Sequence, residues 1–165
     1  PRRRSIGGIE TVYQALVFVH LLGVVIMAVA HGVSIFAAFR VRGEPDPGIV
    51  AAVLGMSKAA VLLLYVGFLV MAVGGFGAAW QAGVLLAPWT IASYVVLVVV
   101  ITVMYTVATP FYVRVREMAS GPGSGEAPDV EAMQAALATR RPEVLALVGG
   151  TGAVVLLWLM VVRPG

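Results

Sequence analysis

The sequence contains no cysteine. That excludes disulfides, iron–sulfur clusters and thiolate zinc sites. Charge is scarce as well. Asp, Glu, Lys and Arg make up 12% of the 165 residues, about half the ~25% of an ordinary soluble domain. There is one lysine, Lys58, and there are two histidines, His20 and His31. So few charges do not coat a globule of this size, so a soluble fold is excluded; the same figures exclude disorder and collagen. What is abundant is apolar: hydrophobic residues make up 61% and mean hydropathy is +1.00. The acids stay out of the middle of the apolar runs, and the arginines sit at run ends, at positions 2–4, 40, 42, 114, 116, 140, 141 and 163. The net charge of +3 therefore reads as arginines at headgroup level. Without a basic stripe interleaved with aromatics, it is no nucleic-acid footprint.

The apolar runs predict an all-α integral membrane bundle of four transmembrane helices, because only helices or closed barrels satisfy the backbone in lipid. The spans fall at about 12–39, 49–80, 88–112 and 142–162, within one transmembrane domain. The first, at 1.5 Å per residue, is ~42 Å long, enough to cross a ~30 Å core with overhang. Arg2-Arg3-Arg4 followed by an apolar run and Ala28-Val29-Ala30 has the layout of a cleavable leader, but the run continues to Phe39, which predicts a retained span. Prolines and glycines in 43–48 end that helix. Gly74, Gly75 and Gly77 are expected to loosen the far end of the second span. Pro88 suits a first helical turn, and Trp89 an interfacial belt. The third span is β-branched from Val95 to Val103, yet lipid decides for helix; Pro110 is expected to kink its last turn. A linker follows over 117–129, with Gly121–Gly125 at its heart. Asp129 is placed to cap a short helix over 130–139, whose Val130, Met133 and Leu137 share a face. That helix is expected either to lie on the membrane or a partner, or to be a plain surface helix. Gly149, Gly150 and Gly152 in the fourth span allow close helix contact.

Three residues within the spans carry chemistry near neutral pH: His20, His31 and Lys58. Intramembrane ionisable groups are functional candidates by default. His20 and His31 are eleven positions apart, which at ~100° per residue leaves them ~20° apart on one face with Gly23, Val24, Met27 and Ser34. About 16 Å of axis separates them, so they do not share one metal ion; each is a candidate axial ligand in its own right, for a haem b or a chlorin. Antiparallel spans joined by a short loop bring Lys58 to a depth similar to that of His31, so the two are candidates to flank one cofactor. Second-ligand candidates are Lys58, Met56, Met71 and Met104. Purely structural roles compete at each position: a histidine bonded to a backbone carbonyl, a lysine snorkelling to the headgroups, methionines that only pack. No carboxylate pair lies in the membrane, no HExxH or phosphate loop is present, and the two halves show no repeat.

His20-Leu-Leu-Gly23 early in the first span, then Arg40, and the closing Leu159-Met160-Val161-Val162-Arg163-Pro164 resemble a bacterial family of small integral membrane proteins of unknown function. Its chains open with a His-x-x-Gly helix and end in Leu-Met-Val-x-Lys-Pro; here Arg163 replaces the lysine. The chain is more distantly similar to the haem-dependent membrane protoporphyrinogen oxidases and copper-resistance membrane domains, which also begin with a histidine-bearing helix. That similarity makes His20 a haem-ligand candidate and gives Lys58 interest. Two functions follow as expectations. The first is an accessory subunit or partner-binding module of a larger complex in the bacterial cytoplasmic membrane, holding one tetrapyrrole through a histidine. The second is a stand-alone haem-dependent membrane oxidoreductase. The arginine distribution, four on the side of the termini and six on the other, leans toward termini on the outer side.

Overall fold

The computed structural model describes residues 2–121 and 127–164, with side chains from Glu10 onward. Of the glycine-rich linker only Gly121 is among them, and the side chains of Arg2, Arg3 and Arg4 lie outside them. Six α-helices follow in order: α1 Arg2–Arg40, α2 Pro47–Gln81, α3 Pro88–Val103, α4 Thr109–Ser120, α5 Val130–Leu137 and α6 Arg141–Val162. A π-turn, Met104–Ala108, joins α3 to α4. Among the described residues four helical segments are long and apolar enough to cross a membrane: Glu10–Arg40, Pro47–Gln81, Pro88–Ser120 and Arg141–Val162. Among the described residues there is no strand, so the four-helix bundle expected from the apolar runs is the fold.

The helix ends follow from local chemistry. The Asp46 carboxylate accepts from the Gly48 and Ile49 amides at 2.7 and 3.4 Å, and Pro47 opens α2 where no amide is needed. Gly83, at φ +69°, turns the chain out of α2. Thr90 Oγ1 then donates to the Val84 carbonyl at 2.8 Å, closing the linker onto α3. Arg163, itself left-handed at φ 50°, ends α6, and its guanidinium lies 5.5 Å from the Trp89 ring centre, tying the end of α6 to the start of α3.

Pro110 does something other than kink a final turn. The Thr109 amide bonds to the Met104 carbonyl, five residues back. This widened turn absorbs the ring that would otherwise collide with the Thr106 carbonyl. The helix then continues to Ser120 rather than ending near Tyr112.

Two helical hairpins make the bundle, α1 with α2 and α3 with α6. On α1 the residues turned to α2 are Leu16, His20, Gly23, Met27, Ser34 and, buried, Ala30 and Ala37; the buried Val41, just past the helix end, continues the row. Their spacing alternates between three and four, the 3.5-residue repeat of a left-handed helix pair. A Cβ on Gly23 would fall within 3 Å of the Met71 backbone, and one on Gly74 within 3 Å of the His20 backbone. Gly75 and Gly77 lie against the His20 ring and the Leu16 side chain. These glycines do not loosen α2; they are where α1 approaches it. In lipid, where apolar surface has no reason to flee its solvent, such backbone-to-backbone packing is the main attraction.

Among the described residues, the cluster of buried hydrophobic side chains lies at the end of the bundle away from the termini, where the ends of α2 and α4 meet α5. Val41, Val50, Leu54, Phe111, Val115, Ala119, Met133 and Leu137 are buried together there. The Asp129 carboxylate caps α5 by accepting from the Ala132 amide at 3.0 Å, and the Asp129 amide donates to the Met118 carbonyl at 3.0 Å. The short helix thus uses its apolar face on its own chain, as a cap over α2 and α4. Two ion pairs ring this end, Arg40 with Glu44 at 2.8 Å and Arg42 with Glu143.

Candidate functional site

His20 projects from α1 onto the smallest part of α2. Gly74 and Gly75 leave a recess that a side chain would fill: a Cβ on Gly75 would lie within 3 Å of the imidazole. The ring settles there with Nδ1 2.8 Å from the Met71 carbonyl oxygen. A carbonyl only accepts, so Nδ1 carries the proton and donates. Nε2 then holds the free lone pair. A backbone carbonyl fixing the tautomer and ring plane is the arrangement found behind ligating histidines. Here the supporting atom belongs to the backbone of a second helix.

His31 is placed differently. At 100° per residue it shares a face with His20, but the α1–α2 seam follows the 3.5-residue repeat. In that frame eleven residues leave the two rings roughly 50° apart. His31 therefore falls beside the seam and meets the other hairpin. A Cβ on Gly149 of α6 would lie 2.6 Å from His31 Nε2 and 3.0 Å from the Met104 methyl. This Nε2 is buried and has no hydrogen-bond partner. It is closed off by the Gly149 backbone, and an iron or magnesium ion has no approach to it unless α1 and α6 part.

Lys58 does not join either histidine. Ser57 beside it takes the seam position, with its hydroxyl donating to Ser34 Oγ at 3.3 Å, while Ser34 donates to the Ala30 carbonyl at 3.3 Å. Lys58 points outward and is exposed. The pairing of Gly67 with Met27, Ser57 with Ser34 and Gly149 with His31 puts Lys58 about five residues, or ~8 Å, inside the level of Arg141. That is within snorkelling reach of the headgroups. Of the second-ligand candidates, Met71 contributes its carbonyl to His20, Met104 packs by His31, and Met56 is 68% exposed. Among the described residues no group of three or more His, Cys, Asp or Glu side chains is set to hold a metal ion.

Sequence reasoning found His20 but not its partner. The signal was available in the glycine pair at 74 and 75, which a helix in lipid places where something must come close. It also missed the recess near Arg114 and Arg141, taken up below, because nothing in the sequence says that α4 continues past Pro110.

The comparisons with known proteins add one assignment. No curated protein and no solved structure matches the chain, so the haem-dependent oxidases and copper-resistance domains contribute nothing to it. Residues 14–164 match the family described as predicted integral membrane protein (DUF2269). That span takes in His20, Gly23 and the closing Leu-Met-Val-Val-Arg-Pro, and the chain belongs to this family of integral membrane proteins.

Proposed function

We propose that this chain is an accessory subunit of a bacterial membrane complex that carries one tetrapyrrole on His20. The observation behind this reading is the His20–Met71 hydrogen bond, which holds the ring in the one tautomer whose Nε2 donates a lone pair. A haem b or a chlorin fits a single such ligand in lipid; bound, it would supply one-electron or light-harvesting chemistry. The chain's own part is to hold and orient the ring. Met71 fixes its proton, and Gly74 and Gly75 give it room. His31 takes no part as ligand while Gly149 closes it. The accessory role draws support from the thin polar inventory of the spans. It draws more from the width of the apolar faces left open, where Phe18, Leu62, Leu69, Val98, Leu147 and Val154 are all more than 60% exposed. No observation favours the stand-alone oxidoreductase over this reading.

The test is an absorption spectrum of the protein solubilised in mild detergent from cells that make both haem and chlorins, oxidised and dithionite-reduced. A Soret band with sharp reduced bands, or a long-wavelength chlorin band, is expected in the wild type and in His31→Ala. It should vanish in His20→Ala. A featureless wild type, or a band that survives His20→Ala, would leave the His20–Met71 bond as a tie between two helices and nothing more. A particle no larger than one chain in its detergent belt would defeat the accessory role.

The same proposal places the termini on the outer side. The end capped by α5 gathers Arg40, Arg42, Arg114, Arg116, Arg140 and Arg141, and cytoplasmic ends are arginine-rich. The lack of native cysteine makes this simple to check. A membrane-impermeant maleimide applied to spheroplasts should label Ala82→Cys and spare Ser120→Cys; the reverse pattern would invert the topology.

A further inference from the structure

Beside the capped end a recess of about 600 Å³ opens between α4 and the first turn of α6. Its wall begins in the membrane with Thr106, Val107 and Pro110 and ends in water with Arg114 and Glu117; Phe111, Val113 and Arg141 complete it. The Arg141 guanidinium lies 5.7 Å from the centre of the Phe111 ring. The recess begins at the π-turn, which supplies Thr106 and Val107. The widened turn ends at Ala108, and α4 leaves it carrying polar residues past the bilayer surface.

We infer that this recess seats the phosphate of an anionic phospholipid between Arg114 and Arg141, with an acyl chain lying along Val107 and Pro110. Three observations carry it. The first is polarity along the groove: apolar at the depth of the spans, cationic about one to two helical turns further out, the profile of a phospholipid at an interface. The second is that, among the described residues, neither arginine is engaged by an acid. The ion pairs of this face belong to Arg40 with Glu44 and Arg42 with Glu143. Among the described residues Arg141 has only the Phe111 ring, and Glu117, a turn beyond Arg114, forms no ion pair. Two arginines against one acid leave the groove with one positive charge, which a phosphodiester neutralises. The third is geometry: guanidinium forks bind phosphate oxygens in pairs, and Arg141, half of the pair, is held over an aromatic ring. This inference does not depend on a tetrapyrrole at His20.

Native mass spectrometry of the intact chain tests it, released from detergent with dioleoyl-phosphatidylglycerol or dioleoyl-phosphatidylcholine at equal concentration. The wild type should retain one phosphatidylglycerol about tenfold more than phosphatidylcholine, given the usual attraction per basic residue. Arg114→Gln with Arg141→Gln should lose that preference. Arg163→Gln, at the opposite end, should keep it. Millimolar inorganic phosphate should not displace the lipid; displacement would mean that a free anion, not a lipid, is the ligand. Equal retention of the two lipids by the wild type overturns the proposal without any variant. Undiminished preference in a folded double variant overturns the assignment to these arginines.

Discussion

Gly23→Ala is expected to lower the stability of the protein in detergent by about 2–4 kcal/mol, an unusually large effect for one added methyl group. The reason is what the methyl meets. It would fall within 3 Å of the amide nitrogen and Cα of Met71 and of the Gly67 carbonyl oxygen. Backbone atoms in the middle of a helix do not rotate away as a side-chain tip does, so α1 and α2 must separate along the seam. Separation also stretches the His20–Met71 hydrogen bond, one turn further on. Gly74→Ala should behave alike, since its methyl meets the His20 backbone. Gly32→Ala and Gly150→Ala make good controls. Neither methyl would have a neighbour within 4 Å, and alanine is favoured over glycine inside a helix by up to ~1 kcal/mol. Thermal unfolding followed by circular dichroism would rank the four. If Gly23→Ala melts with Gly32→Ala, the helices are not as close as described.

The second large effect lies at the end of the bundle that α5 caps. Met133→Ala and Leu137→Ala should each cost about 2–4 kcal/mol of the docking of α5, as buried side chains trimmed to alanine do. The pair together should release the short helix. The signature would be rapid proteolysis between Asp129 and Arg140 in a protein whose spans stay helical. Unchanged proteolysis of the double variant would show that the cap is held by something other than this core. The two predictions probe different physics. The seam is held by closeness, because lipid is as apolar as leucine. The cap is held by exclusion of water from Val41, Val50, Phe111 and Val115.

Much of the fold was legible in the residues because lipid simplifies the problem. A run as apolar as Val95 to Val103 has no option in a bilayer but helix, whatever its β-branching says. Asp129 as a cap was readable from its place before an apolar period of 3.6. Three things were not readable. The helix past Pro110 depends on a π-turn, and proline alone signals a break as readily as an accommodation. The docking of α5 depends on where Leu54 of α2 and Phe111 of α4 end up; its apolar face says that it packs, not on what. The divergence of His20 and His31 depends on which period the seam adopts. A difference of 0.1 residue per turn, trivial over one turn, separates the two rings over three. The bond from His20 to Met71 was hidden for a related reason: a backbone carbonyl leaves no trace in side-chain identity.

The order of the helices along the chain has a consequence for biogenesis. Everything the α1–α2 seam needs lies within the first 81 residues: the glycines, the two serines, and His20 with its carbonyl partner. Synthesis proceeds from the N-terminus, and early units fold as they emerge. The first hairpin is therefore complete in the bilayer while the second is still being translated. The side chains that fasten the two together, Phe111, Met133, Leu137 and Glu143, all arrive in the second half. The protein closes from its last-made part backwards, and for the interval before α5 and α6 appear, the surface of α1 that will meet Gly149 stands open to lipid.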